Sequence, residues 1–268
     1  MNASRYPHRE SSTERGTMHI LVTNDDGIQA EGLLALAQAM RVLGEVIVIA
    51  PAQNQSAIGH RKTLHKPLRA WPATLADGMS AIATSGSPSD SVALALLGLV
   101  EERIDLIVSG VNHGPNLSRD ITYSGTVTAA MEGAIWGVPS IAVSLDAYGG
   151  GDFAGAAEVA LRVARQVVEH GLPPLTLLNV NVPNLPRDQI VGIRVTRQGQ
   201  RVYRDELVQR LDPRGVPYYW LGGERPGGDS EEEGTDVWAV AHGYVSVTPI
   251  TMDMTNHAAI GAVKNWAW

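Results

Sequence analysis

The chain has 268 residues, 44% of them hydrophobic, enough to bury a sizeable core in one large domain or two small ones. Its formal net charge of -7 argues against a surface built to neutralise a nucleic-acid backbone, so no duplex partner is expected. Cysteine is absent, which excludes a disulfide framework, a thiolate zinc site and a cysteine nucleophile, and leaves oxygen and nitrogen as metal ligands.

The longest apolar run, 92–100, falls short of a membrane span, and no membrane partner is expected. Residues 1–17 are polar and mixed in charge, without the apolar stretch of a secretory signal. Arg5, Arg9 and Arg15 would suit a transit peptide but Glu10 and Glu14 oppose one, so a disordered extension on a cytoplasmic protein is expected. From residue 18 apolar strands alternate with amphipathic stretches, the pattern of an α/β fold whose mostly parallel sheet is covered by helices on both faces. A strand at 19–24 and a turn at 25–27 lead to Leu33, Leu36, Ala37 and Met40, spaced as one face of a helix that ends before Gly44. A second strand follows at 45–50, then a polar loop and shorter strands near 64–70 and 79–84. Ser87, Pro88 and Asp90 read as a helix cap leading into 92–100, apolar nearly all round and so expected to be buried.

The run 105–109 reads as a central strand, followed by a long polar loop to Ser124 and a helix through Val127, Ala130, Met131, Ala134 and Ile135. Another strand is expected at 140–144, and Phe153 to Val167 repeat as a helix that Gly171, Pro173 and Pro174 stop. Beyond Leu175 the segments 175–182, 191–196, 218–220, 237–240 and 244–249 look strand-like, with an acidic glycine-rich loop at 222–234. This last third reads as a β-rich extension of one domain spanning 18–268, with a protruding hairpin arm at about 201–220 and a C-terminal tail.

Asn24-Asp25-Asp26-Gly27 ends the first strand, and in an open parallel sheet ligands bind beyond the carboxyl ends of the strands. Two adjacent carboxylates there repel unless a cation joins them, and a hard ion such as Mg²⁺, Mn²⁺ or Ca²⁺ suits oxygen ligands. A plain turn, with Asp26 capping the next helix, is the alternative. The second and third parallel strands bring the Ser56 hydroxyl and the Asn112 carbonyl to the same crevice, where both residues could equally serve as loop hydrogen-bonders. Ser124, Gly125 and Thr126 open a helix and form a natural anion site, or a simple cap, or both. His60 and His113 are acid–base candidates in the crevice loops, while Arg61, Lys62 and Arg119 either meet phosphate or face solvent.

These segments, NDDG, AP..N.SAIGH, SGSPSDSV, SGVNHGPNL, YSGTVTAAMEG, LNVNVP, GIRVTRQG, DPRG..YYW and GYVSVTPI, together resemble the SurE (survival protein E) nucleotidases over residues 18 to about 255. The resemblance implies a Rossmann-like fold, 5'- and 3'-nucleotidase activity on nucleoside monophosphates and one divalent cation per subunit, Mg²⁺ or Mn²⁺ on the ligand set. It also implies homodimers or homotetramers built by exchanged C-terminal segments. Carried over residue by residue, it puts the metal on Asp25, Asp26, Ser56 and Asn112, and phosphate on Ser124, Gly125 and Thr126 with Asn116 nearby. The family's pattern has glycine where Ser118 stands, which bears on the shape of that loop. Metal-assisted attack of water on phosphorus, with Asp25 and Asp26 as catalytic residues, is the expected chemistry. A nucleotide-sensing module without turnover is the rival.

Overall fold

The computed structural model describes residues 17–202, 205–223, 227–228 and 230–267. The expected N-terminal extension, apart from Thr17, and part of the acidic loop lie outside the described residues. The first strand, β1 (His19–Thr23), is apolar on both faces because helices cover both sides of it. Helix α1 (Glu31–Met40) turns Leu33, Leu36, Ala37 and Met40 onto the sheet, as their spacing predicts. Then come β2 (Glu45–Pro51), β3 (Ala70–Thr74), β4 (Ser80–Thr84), α2 (Pro88–Leu94), β5 (Leu106–His113), α3 (Gly125–Ile135), β6 (Ser140–Asp146), α4 (Phe153–His170) and β7 (Thr176–Pro183). The remainder comprises β8 (Gly192–Val195), β9 (Arg201–Val202), β10 (Asp205–Leu211), β11 (Pro217–Gly223), β12 (Gly227–Gly228), α5 (Asp236–Ala241), β13 (Tyr244–Thr251) and α6 (Ile260–Lys264).

Nine strands form one sheet in the order β3-β4-β2-β1-β5-β6-β7-β13-β8. From β4 to β7 every neighbour is parallel, while β3 runs antiparallel to β4, β13 antiparallel to β7, and β8 parallel to β13. One core cluster packs α1 and α4 on one face, with alanines 156, 157, 160 and 164 keeping α4 close. Smaller clusters pack α2 and α3 on the other face. Among the described residues, strands β10 and β11 pair only with each other, as an antiparallel hairpin outside the large sheet. Among the described residues no helix is long and apolar enough to cross a membrane.

Four expectations need correction. The segment 237–240 lies within α5, because Thr235 caps that helix by accepting the Trp238 N–H and Asp236 sits in its first turn. The strand expected near 64–70 begins only at Ala70, pairing with Thr84 and onward along β4. The Ser87 cap forms a reciprocal box with Asp90, as expected, but its helix is not buried throughout. Its end opens into a wider turn at Ala95–Leu99, where Gly98 takes φ 112° and Leu97 is 70% exposed. The hairpin arm proper spans β10 and β11, a few residues beyond the expected 201–220.

Candidate metal centre and phosphate site

After β1 the chain moves to β2 on one side and later returns to β5 on the other, so the sheet reverses its order at β1. The crevice at such a switch point is where open α/β sheets bind ligands. Asn24 closes the turn there: its side chain accepts the Gly27 N–H at 3.2 Å and donates to the Gly27 carbonyl at 3.1 Å. The turn-forming work thus falls to Asn24 and Gly27, and neither aspartate is needed for it. Asp26 does not cap α1 either, since that helix has Ala30 at its N-cap and no side-chain cap bond.

Asp25 is 3% exposed and lies against the first turn of α3. The Thr126 hydroxyl donates to its carboxylate at 2.5 Å, and the Thr126 main-chain N–H also reaches it. Burial pushes the Asp25 carboxyl up to about 6 against the pull of Thr126, and the neighbouring charge of Asp26 adds to the rise. Asp26 is half-buried and is also raised by burial, opposed by the His113 N–H that it accepts at 3.0 Å. Among the described residues, no lysine or arginine stabilises either carboxylate.

The other expected ligands come in on neighbouring strands. The Gln55 N–H donates to the Asp25 carbonyl at 2.7 Å, which fixes the loop carrying the exposed Ser56 beside the carboxylates. On the other side the β5–β6 register shifts between Ser109 and Asn112, an irregularity of the kind that re-aims a side chain. The Asn112 amide nitrogen is committed to the Gly114 carbonyl at 2.7 Å, and no described donor takes its oxygen. Among the described residues no three His, Asp or Glu stand together as a metal cluster. A cation here would therefore rest on two carboxylates and complete its shell with neutral oxygens and water, a set that fits Mg²⁺ or Mn²⁺.

At the start of α3, Ser124 caps the helix by accepting the Val127 N–H at 3.1 Å, so the plain reading of this residue holds. Gly125 lies close against Asp25: a Cβ there would stand 2.7 Å from Asp25 Cβ and 2.9 Å from Oδ2. Asn116 is buried behind this segment, its amide donating to Ser144 at 2.7 Å and its main chain gripped by Asn179 and Asn181 of β7. His113 is exposed and its ring bonds the Gly149 carbonyl.

Sequence reasoning missed two groups. Glu132 of α3 is 2% exposed and takes hydrogen bonds from His60 at 3.0 Å, Lys62 at 2.6 Å and Trp136 at 2.8 Å. Burial works to raise its carboxyl, but the three donors outweigh it and hold the group at about 2. An acid between Ala130 and Ala134 on a buried helix face was the available signal. The Asn179 and Asn181 pair, alternating into the sheet's interior within an apolar strand, was another.

The sequence model of the family described as Survival protein SurE matches residues 20–205. The chain belongs to the SurE family. It is 51% identical over 253 residues to a 5'-nucleotidase SurE of Chloroflexus aggregans, covering 94% of this chain and 100% of that one. A 5'-nucleotidase SurE of Herpetosiphon aurantiacus is 54% identical over 253 residues, covering 94% and 99%. The crystal structure of the SurE protein from Aquifex aeolicus superposes with a TM-score of 0.80 at 43% identity, covering 92% of this chain and 98% of that one. Within the SurE pattern, Ser118 stands at φ 57°, a left-handed conformation that favours glycine. Its hydroxyl offsets that strain by donating to the Gly199 carbonyl at 2.8 Å and accepting the Arg201 N–H at 3.2 Å.

Proposed function

We propose that the protein is a divalent-metal-dependent phosphomonoesterase that hydrolyses nucleoside 5'- and 3'-monophosphates to nucleoside and phosphate. The observation that carries this reading is Asp25: a buried carboxylate, next to a second one, set against the N-terminus of α3 with no basic partner among the described residues. Family membership and relatives named 5'-nucleotidase support the substrate class. Asp25, Asp26, Ser56 and Asn112 would hold the metal, and the bound cation supplies a Lewis acid that draws charge from the phosphoryl group and acidifies water. Asp25, the more buried of the pair, orients the attacking water and takes its proton. The first turn of α3, where no described acceptor takes the Gly125 N–H, offers its main chain to phosphate, with Ser124, Thr126 and Asn116 shaping the segment.

The test is release of phosphate from AMP by the purified chain with Mn²⁺, before and after chelation. Turnover that a chelator abolishes and metal restores is expected. Nucleotide binding without turnover would favour the sensing module instead, and turnover indifferent to chelation would sink the metal. Ser56→Ala and Asn112→Ala should each weaken Mn²⁺ binding about tenfold with little effect on folding. Titrations that match the parent would remove them from the ligand set. A homodimer or homotetramer, one domain over 18–268 and a cytoplasmic setting complete the proposal.

A further inference from the structure

The loop that leaves β2 is tied down on both sides of Ser56, and the Ser56 N–H itself donates to the Asn54 side-chain oxygen at 2.8 Å. Before it, the Gln55 N–H is held by the Asp25 carbonyl at 2.7 Å. After it, the Gly59 N–H donates to the Tyr123 carbonyl at 2.8 Å and the Gly59 carbonyl accepts the Thr128 hydroxyl at 3.0 Å. His60 and Lys62 then end on Glu132. Residues 125, 128 and 132 lie along one stripe of α3, so the stripe that meets Asp25 at Gly125 also fastens this loop, two turns further on, at Glu132. Beyond Lys62 the loop is moored again, Thr63 donating to Asp90 through its N–H at 2.9 Å and its hydroxyl at 2.7 Å.

Ser56 and its neighbours therefore form a short span between fixed points, with Ala57 in the left-handed region at φ 56°. We infer that Glu132 is a positioning residue: through His60 and Lys62 it sets the span that presents Ser56 to the metal. It is not one of the four proposed metal ligands, and its carboxylate is taken up by His60, Lys62 and Trp136. This inference rests on the metal reading above, with Ser56 as a ligand. A fully buried carboxylate with three converging donors, two of them from one loop, is a costly feature for a protein to keep at a site with no further task. Groups that orient metal ligands are commonly worth ten- to a hundredfold in affinity, so the effect sought is measurable.

The experiment is calorimetric titration of the intact metal-free chain with Mn²⁺, alongside kcat and KM for AMP. Glu132→Gln should weaken Mn²⁺ by about tenfold or more. Combined with Ser56→Ala it should weaken Mn²⁺ no further than the larger single change, because both act through one ligand. Lys62→Met, at a half-exposed position, should move the affinity in the same direction and carries the test if Glu132→Gln fails to fold. Parent-like Mn²⁺ affinity and KM in the folded variants, or additive losses with Ser56→Ala, would overturn the inference and leave Glu132 a structural residue. Asp25→Asn separates the two failures. If it binds Mn²⁺ as the parent does, the metal reading falls and takes this inference with it. If it loses Mn²⁺ while Glu132→Gln retains it, only the inference falls.

Discussion

Asp25 and Glu132 are both buried carboxylates, and the fold treats them in opposite ways. Glu132 has three donors and sits at about 2, while Asp25 has Thr126 and its own main-chain N–H against burial and a like charge, and sits at about 6. A carboxyl raised from 3.8 to about 6 gives stability that is fully present below 3.8 and lost as pH rises through about 6, because the folded state holds its proton longer. At neutral pH without metal, Asp25 thus costs the fold up to about 3 kcal/mol. Asp25→Asn should raise the melting temperature of the chelated protein at pH 7 and flatten its pH dependence between 4 and 6, while lowering turnover by about a hundredfold or more. Thermal scans across pH, with and without Mn²⁺, check this; a chelated variant less stable than the parent at pH 7 would refute the burial argument. The two aspartates were legible in the sequence because they are adjacent and end a strand. Glu132 was not, because its meaning comes from His60 and Lys62, which lie 72 and 70 residues away in the chain.

At the scale of elements, the contact between α3 and the turn that follows β1 carries the most chemistry, and Gly125 makes it possible. Alanine is a better helix former than glycine, so Gly125→Ala should leave α3 intact or firmer. Its Cβ would meet Asp25 Cβ at 2.7 Å, so the aspartate or the helix must shift. Expected is a loss of about a hundredfold in kcat/KM with circular dichroism unchanged, a displacement of this order being enough to misplace a catalytic group. Activity near the parent's would mean that this close approach is not needed. The helices were legible wherever apolar residues repeated over several turns, as in α1 and α4, since one wide stripe admits a single reading. Helix α5 was not: four residues, Val237 to Val240, are too few to separate a strand from a turn of helix, and only the Thr235 cap decides it. Strand β3 was misplaced because its residues are mostly exposed and its position is set by pairing with β4.

At the scale of the molecule, the order of strands was beyond the sequence, since it depends on which loops cross the sheet and not on any local pattern. The alternation of strands and helices nonetheless limited the choice to a parallel α/β sheet, and its switch point fell where Asp25 and Asp26 stand. The hairpin of β10 and β11 remains outside that sheet, with Leu207, Leu211, Tyr219, Trp220 and Leu221 all exposed. Two strands alone are marginally stable in water, and an apolar surface of this kind is one that an interface would bury. A second copy of the chain, offering the same hairpin, would bury both by symmetry. Arg201 lies at the root of the hairpin, paired to Asp120 at 2.6 Å, and should be kept in any deletion so that the loop after Asn116 is undisturbed. Replacing residues 206–222 with a short Gly-Ser turn should lower the mass measured by light scattering, from a tetramer to a dimer or from a dimer to a monomer. Mn²⁺ binding should persist, because none of the four proposed ligands lies in the hairpin. A monomeric parent, or a shortened chain whose mass still corresponds to the parent's assembly, would exclude the hairpin from assembly.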